Sequence, residues 1–371
     1  MKRTVILLCR LSCAILISFT FNLYLVEAKA TKNASSNPIQ IQRVDFPIFL
    51  SDGTTQSMAG FLFWKSAKGM DCQKKKTPEK INKCLFKKLS TIQVVVHGFS
   101  YNHTYWDPVA LNRPSYSYAR YMAEKGHAVL ALDLLGTGAS SVPNGDVLNI
   151  EQSAFSLAQV LTSLRSKENP FQHRFRQIVL IGHSVGSTFT VLTAATFPGL
   201  VDALITTGWS YAPHLIPLSP EIIAGALQQP YAQFPPELRE ALFYYPPSAD
   251  PQIIAGDNTF LADQFPRGVL AQGLPLLEAL ALGNLEAIKA ISLVDQVAVP
   301  VLVQMGEFDQ IAAPLFPDLE ADLYARSPDV TVEVLEQMGH SINLHENRLK
   351  SWRGINRWIE ERLKKQKKPK G

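Results

Sequence analysis

The chain has 371 residues, of which 46% are hydrophobic and 18% charged, and a formal net charge of +4. That balance excludes a disordered or fibrous protein and leaves ample material for a large core. Lys2, Arg3, Arg10 and Lys29 against Glu27 put most of the positive excess in the first thirty residues, so the rest is close to neutral and lacks the basic footprint of a nucleic-acid binder.

Those thirty residues read as an export signal. Lys2 and Arg3 make a positive start, Leu11 to Val26 is apolar apart mainly from Asn22, and Ala28-Lys29-Ala30 fits a small-x-small cleavage pattern. The expectation is an exported protein, periplasmic or secreted, with no stable membrane insertion after cleavage. The alternative is an uncleaved N-terminal anchor, against which the apolar run of roughly 16 residues is short for a span of about 20. Cys9 and Cys13 fall inside the signal. Cys72 and Cys84 remain as a pair, read as a structural disulfide in an oxidising compartment. Asn33-Ala34-Ser35 and Asn102-His103-Thr104 are glycosylation sequons.

Ile39 to Val44, Phe46 to Leu50 and Met58 to Trp64 are strand-like runs, with turn chemistry at Ser51-Asp52-Gly53-Thr54. They predict an antiparallel opening to a larger sheet. Residues 65–88 carry nine lysines and the cysteine pair, and are expected to form a basic surface insertion. From Thr91 onward strands and helices alternate. Ile92 to Val96, Ala128 to Leu132, Ile178 to Ile181, Ala203 to Thr207, Val301 to Met305 and Val330 to Leu335 read as strands. Between them Ser115 to Lys125, Glu151 to Ser166 and Val185 to Phe197 read as helices, and Lys350 to Leu363 as a closing helix. This repetition predicts a parallel sheet covered by helices. The alternation stops across residues 211–292, which are rich in proline, leucine and alanine. That length is too great for a simple connection and predicts a helical lid.

Gly182-His183-Ser184-Val185-Gly186 has the G-x-S-x-G spacing of a strained strand-to-helix turn that exposes a serine. It follows an apolar strand and opens a helix, as such a turn must. A serine hydroxyl needs a base, and His340, just after the last strand, is the candidate. His345 is its nearest rival. The base needs a carboxylate to hold its tautomer, and Asp309, after the Val301–Met305 strand, is the candidate, with Glu307 as runner-up. Some hydrolases carry the acid after the preceding strand, but Gly208-Trp209-Ser210-Tyr211 offers none.

The order Ser184, Asp309, His340 resembles that of the α/β-hydrolase superfamily, and the likeness runs from roughly Ile39 to Leu363. His97-Gly98-Phe99 resembles its oxyanion segment, Asp133-Leu134-Leu135-Gly136-Thr137-Gly138-Ala139-Ser140 its D-x-x-G-x-G-x-S loop, and Gly306-Glu307-Phe308-Asp309 with Pro314 its acid loop. The resemblance implies a mostly parallel eight-stranded sheet flanked by helices, with an inserted helical cap, in one hydrolase domain over residues 31–371. It also implies backbone N–H donors for an oxyanion at Phe99 and Val185. Tyr101, Tyr105, Trp106 and Trp209 are candidates for an apolar substrate pocket. The expected activity is hydrolysis of a small or medium apolar carboxylic ester through an acyl-enzyme. Alternatives are lipase, lactonase, thioesterase, carbon–carbon hydrolase, cofactor-free lyase or perhydrolase chemistry, and a ligand-sensing protein of the same fold. Dehalogenases and epoxide hydrolases of this fold carry aspartate where Ser184 stands. No metal-ligand cluster or nucleotide motif is present, so the expected partner is a small-molecule substrate without metal or cofactor.

Overall fold

The computed structural model describes residues 38–65, 77–86 and 89–365. The chain opens with a hairpin of β1 (Ile39–Phe49) and β2 (Thr55–Lys65), paired antiparallel along their full lengths. The two strands expected before the turn are one. Val44, Phe46 and Ile48 face inward while Arg43, Asp45 and Pro47 face out, so Asp45 is an ordinary outward position of a two-residue repeat and breaks nothing. Pro47 is tolerated because β1 is an edge strand. Helix α1 (Pro78–Leu85) follows, N-capped by the Thr77 hydroxyl. Phe86, just after it, is fully buried against Trp64 and Phe171. This end of the basic insertion is thus part of the core and not a surface loop. Cys84 lies on α1, whereas Cys72, the sequon at Asn33 and the export signal lie outside the described residues.

The central strands are β3 (Thr91–Val96), β4 (Ala128–Leu132), β5 (Gln177–His183) and β6 (Ala203–Thr207). Short strands β7 (Tyr231–Ala232) and β8 (Phe265–Pro266) pair separately, and β9 (Val301–Gly306) and β10 (Val330–Leu335) complete the main sheet. Its order is β1-β2-β4-β3-β5-β6-β9-β10, eight strands, parallel from β4 to β10 and antiparallel at β2. The mostly parallel eight-stranded sheet is therefore present. Its central strands are apolar on both faces because helices cover both. Val94, Leu180 and Leu204 pack with α3 (Ile150–Arg165) and α4 (Val185–Thr196) on one side. Val95, Ile181 and Ile205 pack with α2 (Tyr118–Glu124) and α11 (Leu349–Lys365) on the other.

Between β6 and β9 the chain leaves the sheet. It forms α5 (Pro220–Ala226), α6 (Pro236–Phe243), α7 (Pro251–Gly256), α8 (Arg267–Leu282) and α9 (Leu285–Ser292), with the β7–β8 ribbon among them. Helix α10 (Pro317–Leu323) lies between β9 and β10. No helix among the described residues is long and apolar enough to cross a membrane.

Candidate active site

Three loops at the carboxyl ends of β5, β9 and β10 bring Ser184, Asp309 and His340 to one edge of the sheet. Ser184 joins β5 to α4 with φ 54° and ψ −131°, a left-handed backbone that a non-glycine residue adopts only under constraint. Its N–H is tied to the Thr207 carbonyl at 2.8 Å. The flanking glycines are set by crowding. A Cβ on Gly182 would lie 2.5 Å from Ser187 Cα, and one on Gly186 would lie 2.4 Å from the His97 carbonyl oxygen. No side chain fits at either place.

His340 and Asp309 are both almost wholly buried. His340 Nδ1 lies 3.0 Å from each carboxylate oxygen of Asp309. Asp309 Oδ1 also accepts from the N–H groups of Ile311 and Ala312, both at 2.8 Å. Burial pushes the Asp309 carboxyl up, but His340 and these donors outweigh it, and the group is held below its ordinary range. Nδ1 is therefore the imidazole donor and Nε2 its acceptor. Of the rivals, Glu307 accepts from the Gln337 N–H at 2.8 Å and faces outward. His345 accepts from the N–H groups of Tyr245 and Gly339 through Nε2, at 3.1 and 3.0 Å, and so braces the loop that carries His340. The backbone at Gly208, after β6, also passes His340: a Cβ there would lie 3.2 Å from His340 Nδ1. The same Cβ would lie 2.9 Å from His183 Cε1, and at φ 59° this position has no room for a side chain beside the imidazole.

The loop after β3 passes directly against the serine. A Cβ on Gly98 would lie 2.7 Å from Ser184 Cβ. His97 sets the orientation of the next peptide. Its Nε2 accepts from the Leu134 N–H at 3.1 Å, so Nδ1 carries the proton and donates to the Gly98 carbonyl at 2.8 Å. In a trans peptide the Phe99 N–H then points away from His97. The D-x-x-G-x-G-x-S segment stands beside this loop as a scaffold. Asp133 accepts from the His103 N–H, from His103 Nδ1 and from the Ala139 N–H, while the Ser140 hydroxyl donates to the Asp133 carbonyl.

Of the four aromatic residues expected around the substrate, only Trp209 lines the cavity beside Ser184. Tyr105 stacks on His183 at 4.3 Å, Trp106 packs edge-on to Tyr118, and Tyr101 bonds Asp257 and Ser341. These three support the site from behind, because the loop after β3 turns their side chains into the core. The Asn102 amide donates to Asp263 at 2.8 Å and its oxygen accepts from Thr104, so its side chain is already in use. The cavity itself is small, about 70 Å³. Phe99, Val185 and Ile311 wall it from the sheet side, and Phe243, Leu270 and Leu276 from the β6–β9 insertion. Among its lining side chains none is charged, and Ser184, Thr188 and Trp209 carry the polar atoms.

The structure also reveals residues that no motif singles out. Arg239 and Asp257, both wholly buried, pair at 2.7 Å within the insertion. Arg239 donates to the Ser100 carbonyl at 2.8 Å. Asp257 accepts from Tyr101 and Tyr244, and Tyr101 meets Ser341, the neighbour of His340. One ion pair thus ties the insertion to the loops carrying Phe99 and His340. The pair lies 18 positions apart with no recognisable pattern between, so only the fold identifies it. Among the described residues no group of histidine, cysteine or acidic side chains could hold a metal ion.

A model of the Alpha/beta hydrolase family matches residues 93–349. The probable lysophospholipase BODYGUARD 1 of Arabidopsis thaliana is 27% identical over 111 residues, which are 30% of this chain and 21% of that protein. The match thus spans about a fifth of that relative. A thermophilic esterase from Thermogutta terrifontis superposes with TM-score 0.56 at 19% identity, covering 86% of this chain and 98% of that one. A Paleococcus ferrophilus monoacylglycerol lipase does so with TM-score 0.54 at 16% identity, covering 72% and 93%. At these identities the likeness is one of fold.

Proposed function

Because the chain belongs to the Alpha/beta hydrolase family, we propose that it hydrolyses carboxylic esters of small or medium apolar molecules, with Ser184 as nucleophile. The observation that carries this reading is a serine on a strained elbow at the wall of an apolar cavity, with a buried His340–Asp309 pair on the same sheet edge. Ser184 Oγ attacks the ester carbonyl and His340 Nε2 takes its proton. Asp309 holds the imidazole in the required tautomer and stabilises the imidazolium. The N–H groups of Val185 and Phe99 receive the charge that develops on the carbonyl oxygen. His340 then returns the proton to the leaving alcohol. A water, deprotonated by the same nitrogen, releases the acyl group and restores the serine. The esterase and lipase likenesses support hydrolysis of an ester bond. The apolar lining supports an apolar acyl or alcohol portion. The N-terminal signal pattern supports export.

The test is turnover of p-nitrophenyl esters of graded acyl length by the purified protein and by Ser184→Ala. We expect clear turnover that falls by roughly 10⁶ in kcat in the variant. Folded wild-type protein that turns over no ester would overturn this reading.

A further inference from the structure

A second cavity, of about 360 Å³, lies beyond the first and opens at the surface beside α9. The two share walls: Ile150, Thr188 and Leu276 line both. These residues come from the start of α3, the first turns of α4 and the middle of α8, and each is buried. The partition is thin. Gly273 faces the first cavity with no side chain, and a Cβ built there would meet only Ile150 Cδ1, at 3.8 Å. The Thr188 hydroxyl donates to the Val185 carbonyl in its own helix at 2.7 Å, so it needs no partner from either cavity.

The direction of this path is set by α4. Ser184, Thr188 and Leu192 are spaced four residues apart and lie along one helix face. Ser184 and Thr188 line the first cavity, and Thr188 and Leu192 the second. At 1.5 Å per residue the path from Ser184 to Leu192 advances about 12 Å along the helix. Its inner walls are apolar, and the polar groups of the second cavity include Glu151 and Gln272 beside its opening. Gln272 is already engaged, accepting from the Ile150 N–H at 2.6 Å. An apolar cavity at the nucleophile, backed across one layer of side chains by a second cavity with a wetter mouth, suits an unbranched hydrocarbon chain once those side chains part.

We propose that the second cavity receives the distal part of a long, unbranched acyl chain whose carbonyl sits at Ser184, with Ile150, Thr188 and Leu276 as the gate. The preferred substrates are then straight-chain acyl esters at the long end of the size range proposed above, with the dodecanoyl ester as the probe. This rests on the ester-hydrolase reading above.

The test uses the full-length protein and Ala290→Trp, which narrows the second cavity from its exposed rim. Turnover of p-nitrophenyl butyrate and dodecanoate is compared, and in a Ser184→Ala background the binding of dodecanoate is measured by calorimetry. We expect wild type to prefer dodecanoate. In Ala290→Trp the dodecanoate-to-butyrate ratio of kcat/KM should fall at least about ten-fold, and dodecanoate binding should weaken by a similar factor. An unchanged ratio in a variant of native stability, or a wild type that prefers butyrate, overturns the proposal. Loss of all ester turnover with dodecanoate binding still sensitive to Ala290→Trp would overturn the ester reading and leave the second cavity as a chain site.

Discussion

Ser184 is held at φ 54° by neighbours that leave no room for relaxation, and Gly98 packs directly against its side chain. Gly98→Ala would place a methyl 2.7 Å from Ser184 Cβ and 3.1 Å from the His183 carbonyl oxygen. The serine or the loop after β3 must then move. Loss of one oxyanion donor costs about 10²–10³ in rate, whereas overpacking costs about 1–3 kcal/mol of stability. We therefore expect kcat to fall at least about 100-fold in a protein that still unfolds cooperatively, checked by steady-state kinetics beside a urea melt. Native kcat would show that this peptide does not face the reacting carbonyl. His97 illustrates a limit of sequence reading. Its position before the glycine was plain, but its tautomer follows from the Leu134 N–H, 37 residues away.

The insertion between β6 and β9 is fastened to the sheet edge by polar contacts as well as by packing. Arg239 on α6 and Asp257 after α7 are joined to Ser100, Tyr101 and, through Tyr101, Ser341. Removing one member of a buried pair leaves the other charge without a partner, at a cost of about 3–5 kcal/mol. Arg239→Met should lower stability by that amount in a urea titration and also lower ester turnover, because the Ser100 carbonyl then keeps only the Asp263 N–H, at 3.0 Å, of its two donors. A loss below about 1 kcal/mol would mean that this pair is not what fastens the insertion. The helices and strands of the sheet were legible because a doubly covered parallel strand is written as a continuous apolar run. The insertion was legible as a break in that pattern, and its contacts were not, since short helices joined by loops carry no register to read.

Across the molecule, one buried acid should leave a mark on stability against pH. Glu320 on α10 accepts from the Ser210 hydroxyl and from the N–H groups of Tyr211 and Ala212, where the chain leaves β6 for the insertion. Burial raises its carboxyl to about 7, against which those donors pull only in part. Unfolded, the group titrates near 4.5. Between these values the folded state holds the proton that the unfolded state has lost, so stability falls as pH rises through this window. The contribution is fully present below 4.5 and lost above 7, and it amounts to roughly 3 kcal/mol. Glu320→Gln, which cannot ionise, should match wild type near pH 5 and melt at higher temperature near pH 8 by scanning calorimetry. An equal difference at both pH values would mean that Glu320 does not titrate in this range.

The amino-acid order determined the sheet, the elbow, and the loops from which Ser184, Asp309 and His340 project, because each depends on local spacing: the period of burial in a strand, the glycines around a sharp turn, the loop after a strand. It misdivided β1, since a charged residue facing water reads like a break until its edge position is known. Tertiary structure alone decided which aromatic residues face the cavity and which brace it from behind. It also decided that Arg239 meets Asp257, and that two cavities share Ile150, Thr188 and Leu276. These are contacts between segments distant in the chain, set by how side chains of particular size pack, and no local pattern encodes them.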